Sequence, residues 1–197
     1  MELVIVIGFF LLGAIPFSVI IAGIRTETDI RKIHDGNPGA TNAWRVGGAK
    51  TGIPALVLDF LKGALPVAIL ANTYSAAFSG WFLISASLAP VLGHAFSPFL
   101  KGKGGKAVAV TFGIWCGLTY WEIPILLGVS LFVFYIIQNQ DAWSVILANL
   151  SIPVYISWQE LLPTFYLVWL GTFVILVYKH FPELKIKPKF RFKRGQA

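Results

Sequence analysis

The sequence predicts an all-α integral membrane protein with seven transmembrane helices, its N-terminus outside and its C-terminus cytoplasmic. Three observations carry that reading: a composition too apolar for a soluble globule, a series of long uncharged runs, and a one-sided distribution of Lys and Arg. Of 197 residues, 56% are hydrophobic and 13% charged, about half the roughly 25% charge of a soluble domain. Mean hydropathy is +0.73, and too little polar surface remains to cover a globule in water. Disorder is excluded by the same numbers, because disordered chains combine low hydrophobicity with high charge. The lone Cys116 excludes a disulfide framework and a cysteine zinc site.

The spans follow in order. Leu3 to Ile24 is an uncharged run of 22 residues, enough to cross a hydrocarbon core that needs about 20. It lacks the basic leader and short apolar stretch of a signal peptide. Further runs cover Ile53–Ala71, Ala77–Leu100, Ala107–Trp121, Ile123–Ile137, Ala142–Trp158 and Leu161–Tyr178. As one helix, Ala107 to Ile137 would reach ~46 Å, well past the core. Glu122 and Pro124 lie at its centre, where a charge is costly and Pro interrupts a helix, so two short helices in a hairpin are expected.

Charge placement fixes the count. With seven spans and the N-terminus outside, the outer segments Met1-Glu2, Asn72–Ala76, Glu122 and Gln159-Glu160 hold no Lys or Arg. Every basic residue except Lys62 falls on the inner side, as the positive-inside rule requires. Six spans would place the basic tail outside. Residues 1–180 are thus expected to form a single seven-helix domain, and residues 181–197 a basic cytoplasmic tail held on anionic lipid. The net charge of +7 therefore points to orientation and anionic ligands, with no nucleic-acid partner.

Three polar islands remain for chemistry. The first is the loop Arg25–Gly52, whose core reads Asp35-Gly-Asn-Pro-Gly-Ala-Thr-Asn42, followed by Arg45. Gly36 and Gly39 let backbone N–H groups converge on an anion, Asn37, Thr41 and Asn42 add side-chain donors, and Arg45 adds a planar fork suited to phosphate. A loop of ordinary turns would use the same residue types. The second island is Gly93-His94 followed by Lys101-Gly-Lys-Gly-Gly-Lys106, which opens onto a helix at Ala107. Lysine charge, free amides and a helix N-terminus favour phosphate there. A basic patch gripping anionic lipid is the alternative. A Walker loop is excluded, because Lys106 is followed by Ala107 and not by Ser or Thr. The third island is intramembrane. Asp59 and Lys62, spaced i, i+3, share a helix face and can pair inside the bundle, either as a structural pair or as support for a site. His34, His94 and His180 show no metal spacing, and no metal or other cofactor is expected. His94 lies close enough to the lysine loop for a general base, a phosphate ligand or a structural histidine. No nucleophile-centred motif is present.

These islands resemble the motifs of the PlsY-type acyl-phosphate:glycerol-3-phosphate acyltransferases, bacterial integral membrane enzymes. The family pattern G-S-G-N-x-G-A-T-N-x-x-R stands here as Asp35-Gly-Asn-Pro-Gly-Ala-Thr-Asn-Ala-Trp-Arg45. L-D-x-x-K-G matches Leu58 to Gly63, and G-H-x-x-P with K-G-G-K resembles Gly93-His94 and Lys103 to Lys106. A basic-His step corresponds to Lys179-His180. The chain departs from the pattern at Asp35 (family Ser), Pro98 (one residue late), Gly102 (family aromatic), Val110 (family Thr) and Glu183 (family Asn). Asp35 and Glu183 add negative charge near an anion site, a penalty that pairing with a lysine or Arg45 would offset.

The resemblance implies transfer of a fatty acyl group from acyl phosphate to the sn-1 hydroxyl of glycerol 3-phosphate at the cytoplasmic face of a bacterial inner membrane. It implies catalytic roles for Lys103 and Lys106 at the leaving phosphate, for His94 in proton transfer or phosphate contact, and for Asp35 as a base in place of the serine. Substrate binding would fall to Gly36, Asn37, Gly39, Thr41, Asn42, Arg45, Lys62, Gly104, Gly105 and His180. The partners implied are acyl phosphate, glycerol 3-phosphate and membrane lipid, with no oligomer called for. A non-catalytic relative holding an anionic lipid precursor, or a transporter of a phosphorylated metabolite, would also need polar groups in a membrane. Crowding of these groups on one face, and the absence of an internal repeat, favour the enzyme.

Overall fold

A computed structural model describes residues 1–73 and 80–191. The expected start of the third span at Ala77, and the tail residues beyond Arg191, lie outside the described residues. Among those described, the chain is all-helical: α1 Glu2–Ala14, α2 Phe17–Thr26, α3 Ala40–Thr73, α4 Gly80–Ala95, α5 Val108–Thr119, α6 Glu122–Ile137, α7 Asp141–Asn149, α8 Ser151–Trp158 and α9 Thr164–Leu184. Four stretches are long and apolar enough to cross a membrane: Glu2–Thr26, Ala40–Thr73, Gly80–Leu100 and Thr164–Leu184. Helices α5 and α6 are apolar but shorter, and α7 and α8 run on from one another across Leu150.

Local sequence explains the breaks. Pro16 has no amide to continue the ladder, so the first apolar run splits into α1 and α2 around Ile15-Pro16. The 34-residue α3 carries a non-helical Gly48 (φ 59°, ψ −155°), a conformation that suits glycine. The first polar island was expected to be loop as far as Gly52; instead α3 begins at Ala40, so Thr41, Asn42 and Arg45 stand on its first turns. Between α5 and α6 the chain turns at Tyr120 (φ 52°). Pro124 sits in the first turn of α6, where a missing N–H leaves no gap. Helix α9 continues through His180 and Glu183 to Leu184, further than the hydropathy boundary at Tyr178.

Two crossings use small residues to bring backbones together. A Cβ on Gly93 would lie 2.1 Å from the Phe10 carbonyl oxygen, where α4 meets α1. One on Gly113 would lie 2.1 Å from the Phe60 carbonyl, where α5 meets α3. Behind these crossings, Trp115, Ile114, Ile152, Ile156 and Val168 fill the core with essentially no exposure, and Phe165 packs edge-on against Trp115.

The break between α1 and α2 leaves carbonyls that need donors, because lipid supplies none. Ser97 Oγ donates to the Ala14 carbonyl at 2.6 Å. Lys62 Nζ donates to the Ile15 carbonyl at 2.9 Å and pairs with Asp59 Oδ1 at 2.8 Å. Ser18 Oγ donates to Asp59 Oδ2 at 2.7 Å. Asp59 and Lys62 are 2% and 3% exposed, so the i, i+3 pair faces the bundle, and its position explains it: it closes the wound in the first span.

Removing one partner of a buried pair strands the other, at a cost of about 3–5 kcal/mol. Asp59→Ala should therefore lower the unfolding temperature in detergent steeply, and the double variant Asp59→Leu/Lys62→Met should recover part of the loss. Equal losses in both would show that the ion pair itself, and not the stranded lysine, sets the cost.

Candidate active site

Four segments meet at one end of the bundle around a cavity of about 330 Å³. The first is the loop before α3. Asp35 Oδ1 accepts from Asn42 Nδ2 at 2.8 Å and from the Asn37 amide at 3.2 Å. The other Nδ2 hydrogen of Asn42 reaches the Asn37 carbonyl at 2.9 Å, and Arg45 Nη1 donates to Asn42 Oδ1 at 2.7 Å. Asn42, 1% exposed, is thus the hub that ties the loop to the helix and leaves the other guanidinium N–H groups of Arg45 available. Gly36 adopts φ 69°, the left-handed turn that brings Asp35 and Asn37 round to Asn42.

The second segment is the lysine loop before α5. Gly104 and Gly105 are buried, and a Cβ on either would collide with His94: 1.9 Å from its carbonyl oxygen for Gly104, and 2.2 Å from Nε2 for Gly105. The Gly105 amide donates to that same His94 carbonyl at 3.0 Å. Lys179 Nζ on α9 clamps the arrangement, donating to Ala95 O at 3.0 Å and Gly104 O at 2.8 Å. These glycines therefore seat the loop on the end of α4, and what the loop presents to the cavity is Lys106.

Lys106 Nζ lies 2.8 Å from Asp35 Oδ2 and 2.8 Å from Glu183 Oε1. The two carboxylates by which the chain departs from the family pattern are thus compensated by one ammonium. Burial pushes the Asp35 carboxyl up, but hydrogen bonds from Lys106, Asn42 and the Asn37 amide outweigh it and hold the group well below the usual carboxylate range. Burial lowers Lys106, and the bonds to Asp35 and Glu183 more than restore it, so the ammonium is held above its ordinary range. The sign follows: the Asp35 charge is lost only as pH falls through its depressed value, and the Lys106 charge only as pH rises through its raised one. The Asp35–Lys106 pair is intact throughout the neutral range.

The third segment is the end of α9. His180, 4% exposed, lines the cavity. Its Nδ1 lies 2.8 Å from the Leu176 carbonyl; a carbonyl can only accept, so Nδ1 carries the hydrogen and Nε2 is the acceptor. The fourth segment is the junction of α6 and α7, where Asn139, Gln140 and Asp141 form a wall. The chain beyond α9 straps this junction: Arg191 Nε donates to Gln138 O at 2.8 Å, the Asn139 amide to Lys189 O at 3.2 Å, and Trp143 Nε1 to Ile186 O at 3.0 Å.

The cavity thus brings together Asp35, Asn37, Thr41, Asn42, Arg45, Lys106 and His180 from the residues expected by sequence. Others stand apart. Lys62 is buried at the α1–α2 break. His94 is buried with Nδ1 3.7 Å from Asp59 Oδ1, between the Asp59–Lys62 pair and the lysine loop. Lys103 is exposed and does not line the cavity. Gly36 and Gly39 shape the loop without lining the space. Sequence reasoning missed the wall at 139–141 and the clamp made by Lys179. The polar run Gln138-Asn139-Gln140-Asp141, on the same side as the two glycine-rich islands, was the available signal for the wall.

Known proteins resemble the chain along most of its length. The family model described as glycerol-3-phosphate acyltransferase matches residues 3–186. The glycerol-3-phosphate acyltransferase 1 of Thermotoga maritima is 42% identical over 188 residues, covering 89% of this chain and 92% of the relative. The glycerol-3-phosphate acyltransferase of Pelagibacter ubique is 35% identical over 93% of this chain and 92% of its own length. The crystal structure of PlsY (YgiH), an integral membrane glycerol 3-phosphate acyltransferase, in its glycerol 3-phosphate form superposes with a TM-score of 0.85 at 28% identity, covering 93% of this chain and 90% of that one. Its lysophosphatidic acid form gives a TM-score of 0.84 at 27% identity. With a matching family model over nearly its whole length, relatives at 42% and 35% identity and a shared integral-membrane fold, the chain belongs to the glycerol-3-phosphate acyltransferase family.

Proposed function

We propose that this chain is a membrane acyltransferase that moves a fatty acyl group from acyl phosphate to the sn-1 hydroxyl of glycerol 3-phosphate, giving lysophosphatidic acid and inorganic phosphate. The observation that carries the reading is the cavity at one end of an apolar bundle, where Arg45 and Lys106 stand beside the neutral donors Asn37 and Thr41. A polar acceptor can enter such a cavity from water while the acyl chain of the donor stays in lipid.

The chemistry suits the side chains present. Acyl phosphate is an activated mixed anhydride, so direct attack by a hydroxyl needs no acyl-enzyme, and the site needs no nucleophile. It has to hold two phosphates, orient the hydroxyl and stabilise the leaving phosphate. Lys106 is assigned to the leaving group, and Arg45 with Asn37 and Thr41 to the acceptor phosphate, while Asn42, whose two Nδ2 hydrogens are already donated within the site, holds Arg45 in position. His180 Nε2, an acceptor, is assigned to a glycerol hydroxyl. His94, Gly104 and Gly105 become supports, because His94 seats the loop that carries Lys106, and Lys103, exposed and outside the cavity, is given no role.

The topology proposed with this function has seven spans, taking α1 with α2 and α7 with α8 as one crossing each. All four cavity-forming segments then share one membrane face. The Lys and Arg distribution supports assigning that face, with the C-terminal tail, to the cytoplasmic side and the N-terminus to the outside; the membrane assigned is a bacterial inner membrane.

The test is phosphate release by purified protein given palmitoyl phosphate and glycerol 3-phosphate, with product identified in parallel. Release that depends on the acceptor and matches lysophosphatidic acid is expected; release without acceptor, or none, would remove the reading. Lys106→Ala should cost about 10²–10³ in turnover, as loss of a transition-state charge partner does. Lys50→Ala, an exposed change on α3, should stay within about twofold, since exposed substitutions away from a site have little effect. Equal losses in the two variants would refute the role given to Lys106.

A further inference from the structure

Asp35, Lys106 and Glu183 form a bridge in which one ammonium serves two carboxylates at 2.8 Å each. The two carboxylates are not equivalent. Asp35 is anchored through Oδ1, which holds two loop donors of its own, so Oδ2 alone engages Lys106. Glu183 engages Lys106 through Oε1, while Oε2 is buried with no hydrogen-bond partner among the described residues.

Lys106 has one N–H beyond the two that face Asp35 and Glu183, but a phosphate brought to that ammonium sets a third anion against two carboxylates, and the repulsion favours release of one of them. Loss of Lys106 would leave Glu183 without a partner on either oxygen, which in a half-buried position is costly. Asp35 keeps its Asn42 and Asn37 donors when Oδ2 lets go. Release of Asp35 is the cheaper exchange.

Resting on the acyltransferase reading above, we infer that substrate phosphate displaces Asp35 Oδ2 from Lys106, that Glu183 keeps the ammonium in place, and that the freed Oδ2 is the general base for the acceptor hydroxyl. The hydroxyl oxygen forms its bond to the acyl carbon as its proton passes to Oδ2. The bond from acyl carbon to phosphate oxygen breaks, and the electron pair leaves with phosphate, stabilised by Lys106. The proton then passes from Asp35 to the departing phosphate, so atoms and charge balance with no added reactant. The exchange times the base: while Lys106 is bound, Oδ2 is a poor proton acceptor, and the phosphate that signals a loaded site removes that restraint.

The groups facing Asp35 are His34, with Nδ1 3.6 Å from Oδ1, Lys106, Glu183 and His180 from the lysine loop and α9, Arg45 from α3 and Asp141 from α7. His180 is the competing base. Its Nδ1 partner is a neutral backbone carbonyl, which supports an imidazolium less well than a carboxylate would.

The experiment measures kcat and KM for glycerol 3-phosphate against pH for the native protein, Asp35→Asn, Glu183→Gln and His180→Gln, with palmitoyl phosphate as donor. In the native protein kcat should rise with pH through one ionisation to a plateau. Asp35→Asn should lose about 10²–10⁴ in kcat, the range of a general base, and lose that rising limb. Glu183→Gln should keep the limb and raise KM. If Asp35→Asn fails to fold, Asp35→Gly with added formate gives the decision: recovery of at least about tenfold, with the limb restored at formate's own pKa, supports the base. An Asp35→Asn enzyme within about threefold of native kcat, a limb that disappears with His180→Gln instead, or no formate recovery would overturn the inference while leaving the reaction standing. A silent native protein would overturn the reaction itself.

Discussion

The buried pair of Lys62 and Asp59 is the interaction on which the rest of this molecule depends. A helix broken inside an apolar medium leaves carbonyls that neither water nor lipid can satisfy. Lys62 answers the one at Ile15, and its own charge is tolerated only because Asp59 lies 2.8 Å away. Ser18 from α2 completes the carboxylate's shell. Three helices are thereby fixed around a break that would otherwise be a point of weakness, and the broken backbone becomes a defined corner.

From that corner a short chain of contacts reaches the cavity. Asp59 faces His94, 3.7 Å away. The carbonyl of His94 receives the Gly105 amide, and the two buried glycines of the lysine loop fit only because they lack side chains. Lys179 closes the loop from the opposite wall. Lys106 emerges from the far end of this clamp. A long, flexible side chain such as lysine loses much rotamer freedom when held, and here its anchor is immobilised before the ammonium makes any contact. Intramembrane charge and surface charge are therefore one structure, in which the first positions the second.

Much of this was legible in the sequence, and the failures have physical causes. Apolar runs set the helices, and a charge beside a proline set the hairpin between α5 and α6, because both effects are local. The spacing of Asp59 and Lys62 gave their pairing, since i, i+3 neighbours share a helix face. The split at Pro16 was hidden, because an unbroken apolar run looks the same whether or not one peptide inside it turns. The glycines at 104 and 105 were read as an anion cradle, yet they are packing residues. A glycine that admits a phosphate and one that admits a neighbouring backbone leave the same trace in a sequence. The wall at Asn139–Asp141 escaped because it carries no motif and is defined only by what the tail straps it against.

The charges of the cavity make sense as a whole once the bridge is considered. Asp35, Asp141 and Glu183 face Arg45 and Lys106, so the resting site is not a cationic trap. A bare pair of cations at a membrane face would attract every anionic headgroup nearby. With the Lys106 charge already neutralised by two carboxylates, the proposed exchange requires an anion that offers the ammonium more than Asp35 does. The terminal phosphate of an acyl phosphate, like that of a phosphate monoester, carries close to two charges and three strong acceptor oxygens. A lipid phosphodiester carries one charge and two such oxygens, a weaker competitor for the same ammonium. On the inferred exchange, the two carboxylates act as a threshold, and discrimination arises from what a wrong ligand fails to displace. In the inferred mechanism the same displacement supplies the base, so selecting the ligand and arming the site would be a single event at Lys106.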